Sequence, residues 1–438
     1  MQGKNDKQQS IFQYMTLEQL VPANYFLRKI DQAVDFSFVR EVVSPLYSPD
    51  RGRPSVDPEV ALRMMTLSYL LNLSENRTCA EIKMHAGYLW FCGLDFNTQI
   101  PDRTTLVKLR KQWRKAGLFK QIFIQVVEQC IKAGFVRGEL LAVDGTTVKA
   151  RAAINSLEEI NPIPLQDYLL RLEAEDDDEP PEDPKTPRKG GEPDFRGEKF
   201  TNETHRSVTD PEARLFRKSK GQEAKLSYLA HNLIDVKSRV IISAMATPAN
   251  ISFEREAALE MLRETTPLLP PSVERKLLAD GNYIAAEFLA KLLDIGYKPL
   301  VPIEGELEPI PAWKTKTKLL DRYRKRQHKV KLVKARNQAK LLRCSREYRR
   351  TYRYRARIEH IFAEAKEHHG LRTARSYGLA CIKEQVLMTA AVQNMKRLAT
   401  YVWRRGKKAA KAMAATLSFF VNFVKNCFSC LNPGFALQ

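Results

Sequence analysis

The hydrophobic pattern of the chain changes period once, just after Gly138, and that change limits the fold more than any other feature. Up to that point the apolar residues recur as they do on helices. Beyond it they come in short runs that end in an acid or a turn residue and alternate with helical stretches. An all-helical segment followed by strands, and then by alternating helices and strands, describes a helical layer joined to a mixed sheet with helices packed on it.

The helical part, residues 1–135, has two well-marked helix starts. Asp57-Pro58-Glu59 combines a capping acceptor, proline at the first helical position and an acid near the positive end of the dipole. The VALRMMTLSYLL that follows is apolar nearly all round, as a buried helix requires. A second start at Pro101-Asp102 leads into RTTLVKLRKQWRKAGLF. There Leu106, Leu109 and Trp113 fall near one face, surrounded by Arg103, Lys108, Arg110, Lys111 and Arg114. Such a helix is either a solvated basic face or a DNA-contacting element.

Past Gly138, the run from Glu139 to Asp144 reads as a buried strand ending in an acid and a glycine. LSYLAHNLID and SRVIISAMATP read as two paired strands, followed by a helix over Phe253–Glu264. A strand RKLLAD ending at Asp280 comes next, then a helix AAEFLAKLLDIGY and a strand KPLVPI. This core spans 136–400 and carries two insertions. Residues 154–200 are polar, proline-rich and acidic and read as a flexible linker; residues 304–349 read as a basic helical insertion. A basic and apolar tail, 401–438, closes the chain.

The formal net charge is +21, which favours a polyanionic partner. Membrane is the weaker choice: the N-terminus lacks the apolar core of a signal peptide, and no run of ~18 apolar residues exists. An amphipathic reading of 405–428 keeps membrane-surface binding as a minor rival. Seven cysteines, odd in number and scattered, suggest a reducing cytoplasm, and the lone Cys427-x-x-Cys430 lacks a second ligand pair for zinc. Nucleic acid remains the expected partner, with no small-molecule substrate. His360, His368 and His369 cluster in sequence, but on a helix His368 and His369 point about 100° apart, so surface or phosphate-contacting roles are expected for them.

The sharpest feature lies near the end of the core. Taken on one helix, Tyr352, Arg355, Glu359 and Lys366 fall at about +20°, −40°, 0° and −20° relative to Glu359. Ile358, Ile361, Phe362 and Ala365 form a separate apolar face. One helix can therefore dock on a core and hold a Tyr-Arg-Glu-Lys row at the edge of the contact. Asp144 and Asp280, each closing a strand, are acids that a rigid sheet can present to a common point. Either alone is ordinary turn chemistry.

The spacing Tyr352-x2-Arg355-x3-Glu359-x6-Lys366 resembles, without a gap, the Y-R-E-K signature of bacterial insertion-sequence transposases of the DDE type. LLAVDGTTVKA and LLADGNY are similar to the strands that carry that family's two aspartates. The run from Gly52 through Arg110 resembles its helical N-terminal domain. The resemblance implies an RNase-H-like catalytic domain preceded by an all-helical DNA-binding domain. It makes Asp144, Asp280 and Glu359 catalytic metal ligands, with Tyr352, Arg355 and Lys366 in support. It also implies two Mg²⁺ ions, for which Mn²⁺ can substitute, double-stranded DNA as partner, a homodimer on DNA and a cytoplasmic, nucleoid-associated location. Trp313, in the basic insertion, matches by region only an aromatic residue that stacks on a flipped base in some relatives. Carboxylates suit the chemistry, because in-line displacement at phosphorus builds charge on two oxygens and magnesium prefers hard oxygen ligands. Two rival readings share the basic charge: a DNA-binding protein without activity, and a host nuclease that cuts without joining.

Overall fold

The computed structural model describes residues 16–48, 55–160, 201–217, 223–312 and 320–431. Eight helices come first: α1 Leu17–Leu20, α2 Phe26–Ala33, α3 Phe38–Val43, α4 Pro58–Leu70, α5 Glu75–Met84, α6 Ala86–Phe91, α7 Arg103–Lys115 and α8 Leu118–Lys132. Both expected helix starts are present. Asp57 caps α4 by accepting from the Glu59 N–H, and Asp102 caps α7 by accepting from the Thr105 N–H. Along α4, Ala61, Leu62, Met64, Met65 and Leu67 are all buried, which accounts for its nearly continuous apolar sequence.

The second part begins with β1 Leu140–Lys149. It continues through β2 Leu157–Glu159, β3 His205–Ser207, β4 Arg214–Phe216, β5 Lys225–Asp235 and β6 Ile241–Pro248. Helix α9 Ile251–Thr265, strand β7 Arg275–Leu278, helix α10 Ala286–Asp294 and strand β8 Tyr297–Leu300 follow. The chain then forms α11 Leu320–Cys344, α12 Arg346–Thr351, a 3-10 turn Tyr352–Arg355, α13 Ala356–His368 and α14 Leu379–Leu431.

The main sheet runs β4-β5-β1-β7-β8, and β6 shares the outer edge of β5 with the short β4. Strand β5 is antiparallel to both of its long neighbours, β1 and β6, whereas β7 is parallel to β1 and β8 to β7. Parallel neighbours need a crossover, and α9 and α10 supply it on the way into β7 and β8. Among the five longer strands the order in space is third, second, first, fourth, fifth. The fold is thus an RNase-H-like mixed sheet flanked by helices, behind an all-helical N-terminal region. One contiguous core joins the two parts, running from Leu27 and Leu62 through Met395 on α14 to Leu141 and Leu277 in the sheet. At the edge of β6, the Asn394 side chain both accepts from the Ile241 N–H (2.8 Å) and donates to its carbonyl (2.7 Å), so α14 blunts that edge.

Several sequence expectations need correcting. β1 does not stop at Asp144 but continues to Lys149, because nine of its residues pair with β5. The Tyr-Arg-Glu-Lys row does not lie on one α-helix, since Tyr352 and Arg355 occupy the 3-10 turn before α13. The tail after residue 400 continues α14 as far as Leu431. The basic insertion, by contrast, does contain a helix, the 25-residue α11. Most of the acidic insertion (161–200), Trp313, and the side chains of Cys427 and Cys430 lie outside the described residues. Among the described residues no helix is long and apolar enough to cross a membrane.

Candidate active site

The parallel pairing of β1 with β7 runs from Leu140↔Lys276 to Ala142↔Leu278, and there β7 ends. Asp144 stands two residues further along β1, and Asp280 two residues past the end of β7. Both acids line one cleft, and the Asp280 charge acts on the Asp144 carboxyl. Further along, the same edge of β1 is taken up again by a parallel bridge from Lys149 to Thr373. Between these two pairings the edge of β1 is open. A cleft of about 500 Å³ lies there, lined by Asp144, Asp280, Glu359, Arg355, Lys366 and Glu254 among others.

Each acid is held by its own segment. Asp144 accepts the Gly145 N–H on one oxygen (2.8 Å) and Arg355 on the other (3.3 Å). Asp280 opens a 3-10 turn and accepts the Asn282 N–H at 2.9 Å. Glu359 stands in the first turn of α13, whose buried Ile358, Ile361, Phe362 and Ala365 form the expected docking face. Its side chain remains 54% exposed, and the second arm of the Arg355 guanidinium bonds its carboxylate. Arg355 therefore bridges Asp144 and Glu359, although it closes the 3-10 turn and immediately precedes α13. Tyr352 reaches the other strand: its hydroxyl donates to the Ala279 carbonyl (3.4 Å) next to Asp280, and its ring stacks on Tyr348. Lys366 lines the far end of the cleft.

The fourth acid was not expected from sequence. Glu254, in the first turn of α9, is only 8% exposed and accepts from the Asn282 side chain at 3.4 Å. In the sequence it looks like one more surface charge on an amphipathic helix. The available signal was Gly145, a glycine inside a strand, which marks close approach of another group. A Cβ there would lie 3.1 Å from Nδ1 of buried His231 and 3.3 Å from Oε1 of Glu254.

Electrostatically the cleft disfavours its own negative charge. Burial, with the neighbouring Asp280 carboxylate, pushes Asp144 up to about 6 against the opposing Gly145 N–H and Arg355. Burial and the Asp280 and Asp144 charges push Glu254 up to about 7. A divalent cation in the cleft would favour the charged forms that burial and mutual repulsion disfavour, and hard oxygen donors suit such an ion. Even so, among the described residues no three His, Cys, Asp or Glu side chains converge closely enough to hold one ion together. The Arg355 bridge occupies the space between Asp144 and Glu359, so Glu359 can join a shared ion only if Arg355 gives way.

This arrangement gives Asp144→Asn a pH-dependent effect on stability. In the unfolded chain the carboxyl ionises near 3.8, whereas in the fold it keeps its proton to about 6. The penalty is absent below about pH 4, grows as pH rises through 6, and reaches at most ~3 kcal/mol. Without divalent metal, the variant should match wild type in denaturant unfolding near pH 4 and exceed it by ~1–3 kcal/mol near pH 8. Equal or lower stability of the variant near pH 8 would contradict this account.

The basic helix α7 is divided. Arg103, Lys108 and Lys111 are exposed. Arg110 is not a surface contact: it is buried and bonded to Glu384, Glu75 and the Tyr69 hydroxyl. Arg114 is likewise engaged, with Glu384 on α14 at 2.6 Å. Both were expected to face DNA, and both instead tie the helical part to the last helix. His369 is also buried rather than on the surface, with Nδ1 against the Tyr69 carbonyl at 2.9 Å.

Comparison with known families gives two matches. A family described as "Transposase domain (DUF772)" matches residues 15–112, and one described as "Transposase DDE domain" matches residues 137–395, more than half of the chain. No solved structure matches.

Proposed function

The chain belongs to the DDE transposases, and from that premise we propose that it binds the ends of an insertion sequence and cuts and joins DNA strands through Asp144, Asp280 and Glu359. The family implies DNA as partner and divalent metal as cofactor. The observation that supports the reading most is that Asp144, Asp280 and Glu359, carried by three separate segments, line one cleft just past the last β1–β7 pair. Asp144 would contact two Mg²⁺ ions, with Mn²⁺ able to substitute, while Asp280 and Glu359 would each hold one. The bound ions supply charge stabilisation for the attacking and leaving oxygens of an in-line displacement.

The protein's own residues do the positioning. Water opens the strand first, and the liberated 3′ hydroxyl then attacks target DNA, in a cleft whose floor is the rigid edge of β1. Arg355 holds the acids in register in the absence of metal and turns to the DNA backbone when they are engaged. Tyr352 fixes the strand end that carries Asp280. Lys366 holds a phosphate of the element end. Arg103, Lys108 and Lys111 on α7 contact duplex DNA, and Trp313 stacks on an unpaired base. Bringing two ends together makes the active complex at least a homodimer, acting on DNA in the cytoplasm at the nucleoid.

The test is cleavage of DNA that carries the element's own flanking ends, with Mg²⁺. Nicked ends and strand-transfer products are expected. Binding without cutting in either Mg²⁺ or Mn²⁺ would favour a DNA-binding protein without activity. Cutting without joined products would favour a nuclease.

A further inference from the structure

A second pocket, of about 460 Å³, opens off the catalytic cleft and shares Thr147, Phe216 and Lys366 with it. Its remaining lining is mainly cationic and hydroxylic: Lys149, Lys225, Ser227 and Arg372, with Glu223 the one acid. The sheet builds this composition. Lys149 lies opposite Ser227 on β5, and Phe216 lies opposite Lys225. Directly opposed residues share a face, as do residues two apart on a strand. Thr147, Lys149, Ser227, Lys225 and Phe216 therefore present their side chains on one side of the sheet.

Arg372 is delivered separately. The Lys149 N–H donates to the Arg372 carbonyl (3.0 Å), and the Ala374 N–H donates back to the Lys149 carbonyl (2.8 Å). The segment after α13 thus closes the open edge of β1 and fixes Arg372 beside Lys149. Lys225 pairs with Glu223 at 3.4 Å and Arg372 with Glu367, both through exposed side chains open to exchange for a phosphate.

We propose that this pocket is a second phosphate subsite, binding a backbone phosphate of the DNA strand on one side of the scissile phosphate through Lys149, Lys225 and Arg372. The assignment rests on the transposase reading given above and extends the DNA path beyond its catalytic centre. The helix rise places Lys366 roughly 10 Å along α13 from Glu359. A strand held at the triad would pass Lys366 before entering the pocket, with the Phe216 ring at the junction as a face for a base.

The test reads binding rather than cleavage, so it stands apart from the catalytic assignment. The full chain is titrated with element-end DNA between 50 and 200 mM salt, as wild type, Lys149→Gln, Lys225→Gln and Arg372→Gln. Each lost phosphate contact should make the fall in affinity over that range roughly 3- to 4-fold smaller. The second arm uses DNA in which single phosphates near the cut site are replaced by neutral methylphosphonates. In wild type, one neutralised position should weaken binding several-fold; in the Lys149→Gln protein the same position should have little further effect. An unchanged salt dependence in all three variants would overturn the subsite. So would a wild type that responds alike to neutralisation at every position, a result that does not depend on any variant folding.

Discussion

Glu359→Gln is expected to leave binding of element-end DNA intact and to lower Mg²⁺-dependent cleavage by at least ~1,000-fold, equivalent to about 4 kcal/mol of transition-state stabilisation. Glutamine keeps the shape and the hydrogen-bonding oxygen of the side chain but removes the charge a divalent ion needs. The side chain is 54% exposed and lies away from the docking face, so α13 should stay packed on the sheet. Arg355 retains Asp144 as a partner. Asp144→Asn should be equally inactive, because it removes the acid placed between both ions. The two variants differ in a useful way: Asp144→Asn should also gain stability at high pH, whereas Glu359→Gln has no comparable burial to relieve. Cleavage by Glu359→Gln at the wild-type rate would show that Glu359 is not the third ligand. Loss of both binding and cleavage would point to a structural role instead.

What could be read in the sequence followed from local rules. The caps at Asp57 and Asp102 depend on residues within three positions of one another, and both are present. The strand and helix order beyond Gly138 came from period changes, and the docking face of α13 from four apolar residues at helical spacing. What could not be read depended on partners far away in the chain. Asp144-Gly145 has the composition of a turn, yet nine cross-strand pairs with β5 carry the strand straight through it. The Tyr352–Arg355 turn is 3-10 rather than α, so the angles assigned on an ideal helix do not hold there, although Arg355 still reaches both acids. Glu254 enters the site from a helix 110 positions after Asp144, and nothing near it in sequence marks it. Arg110 and Arg114 look like members of a DNA-facing row only as long as Glu384, more than 250 residues away, is left out of account.

Glu384 is the basis of the largest stability effect expected. It is 1% exposed on α14 and accepts from Arg110 Nε (2.7 Å), Arg114 Nε (2.6 Å) and the Tyr69 hydroxyl (3.2 Å). Arg375 stacks over the Tyr69 ring at 4.3 Å, so a third guanidinium adjoins the group. Burying such a cluster costs desolvation, which its own attractions largely offset. Removing one member is a different matter, because the others stay buried without their counter-charge. Glu384→Ala should therefore cost ~3–5 kcal/mol, read as a shift in denaturant midpoint. Glu384→Gln keeps two acceptor contacts without the charge and should cost less. Arg114→Ala should cost least of the three, since its side chain is 23% exposed and Arg110 would still neutralise Glu384. That order separates a buried charge cluster from simple packing, for which Glu384→Gln would be nearly silent. A loss below ~1 kcal/mol in Glu384→Ala would mean that water or Glu75 takes over the arginines and that α14 is not what ties the helical part to the sheet. If the full loss is found, the basic face of α7 contributes its two inner arginines to folding and only its outer cations to DNA.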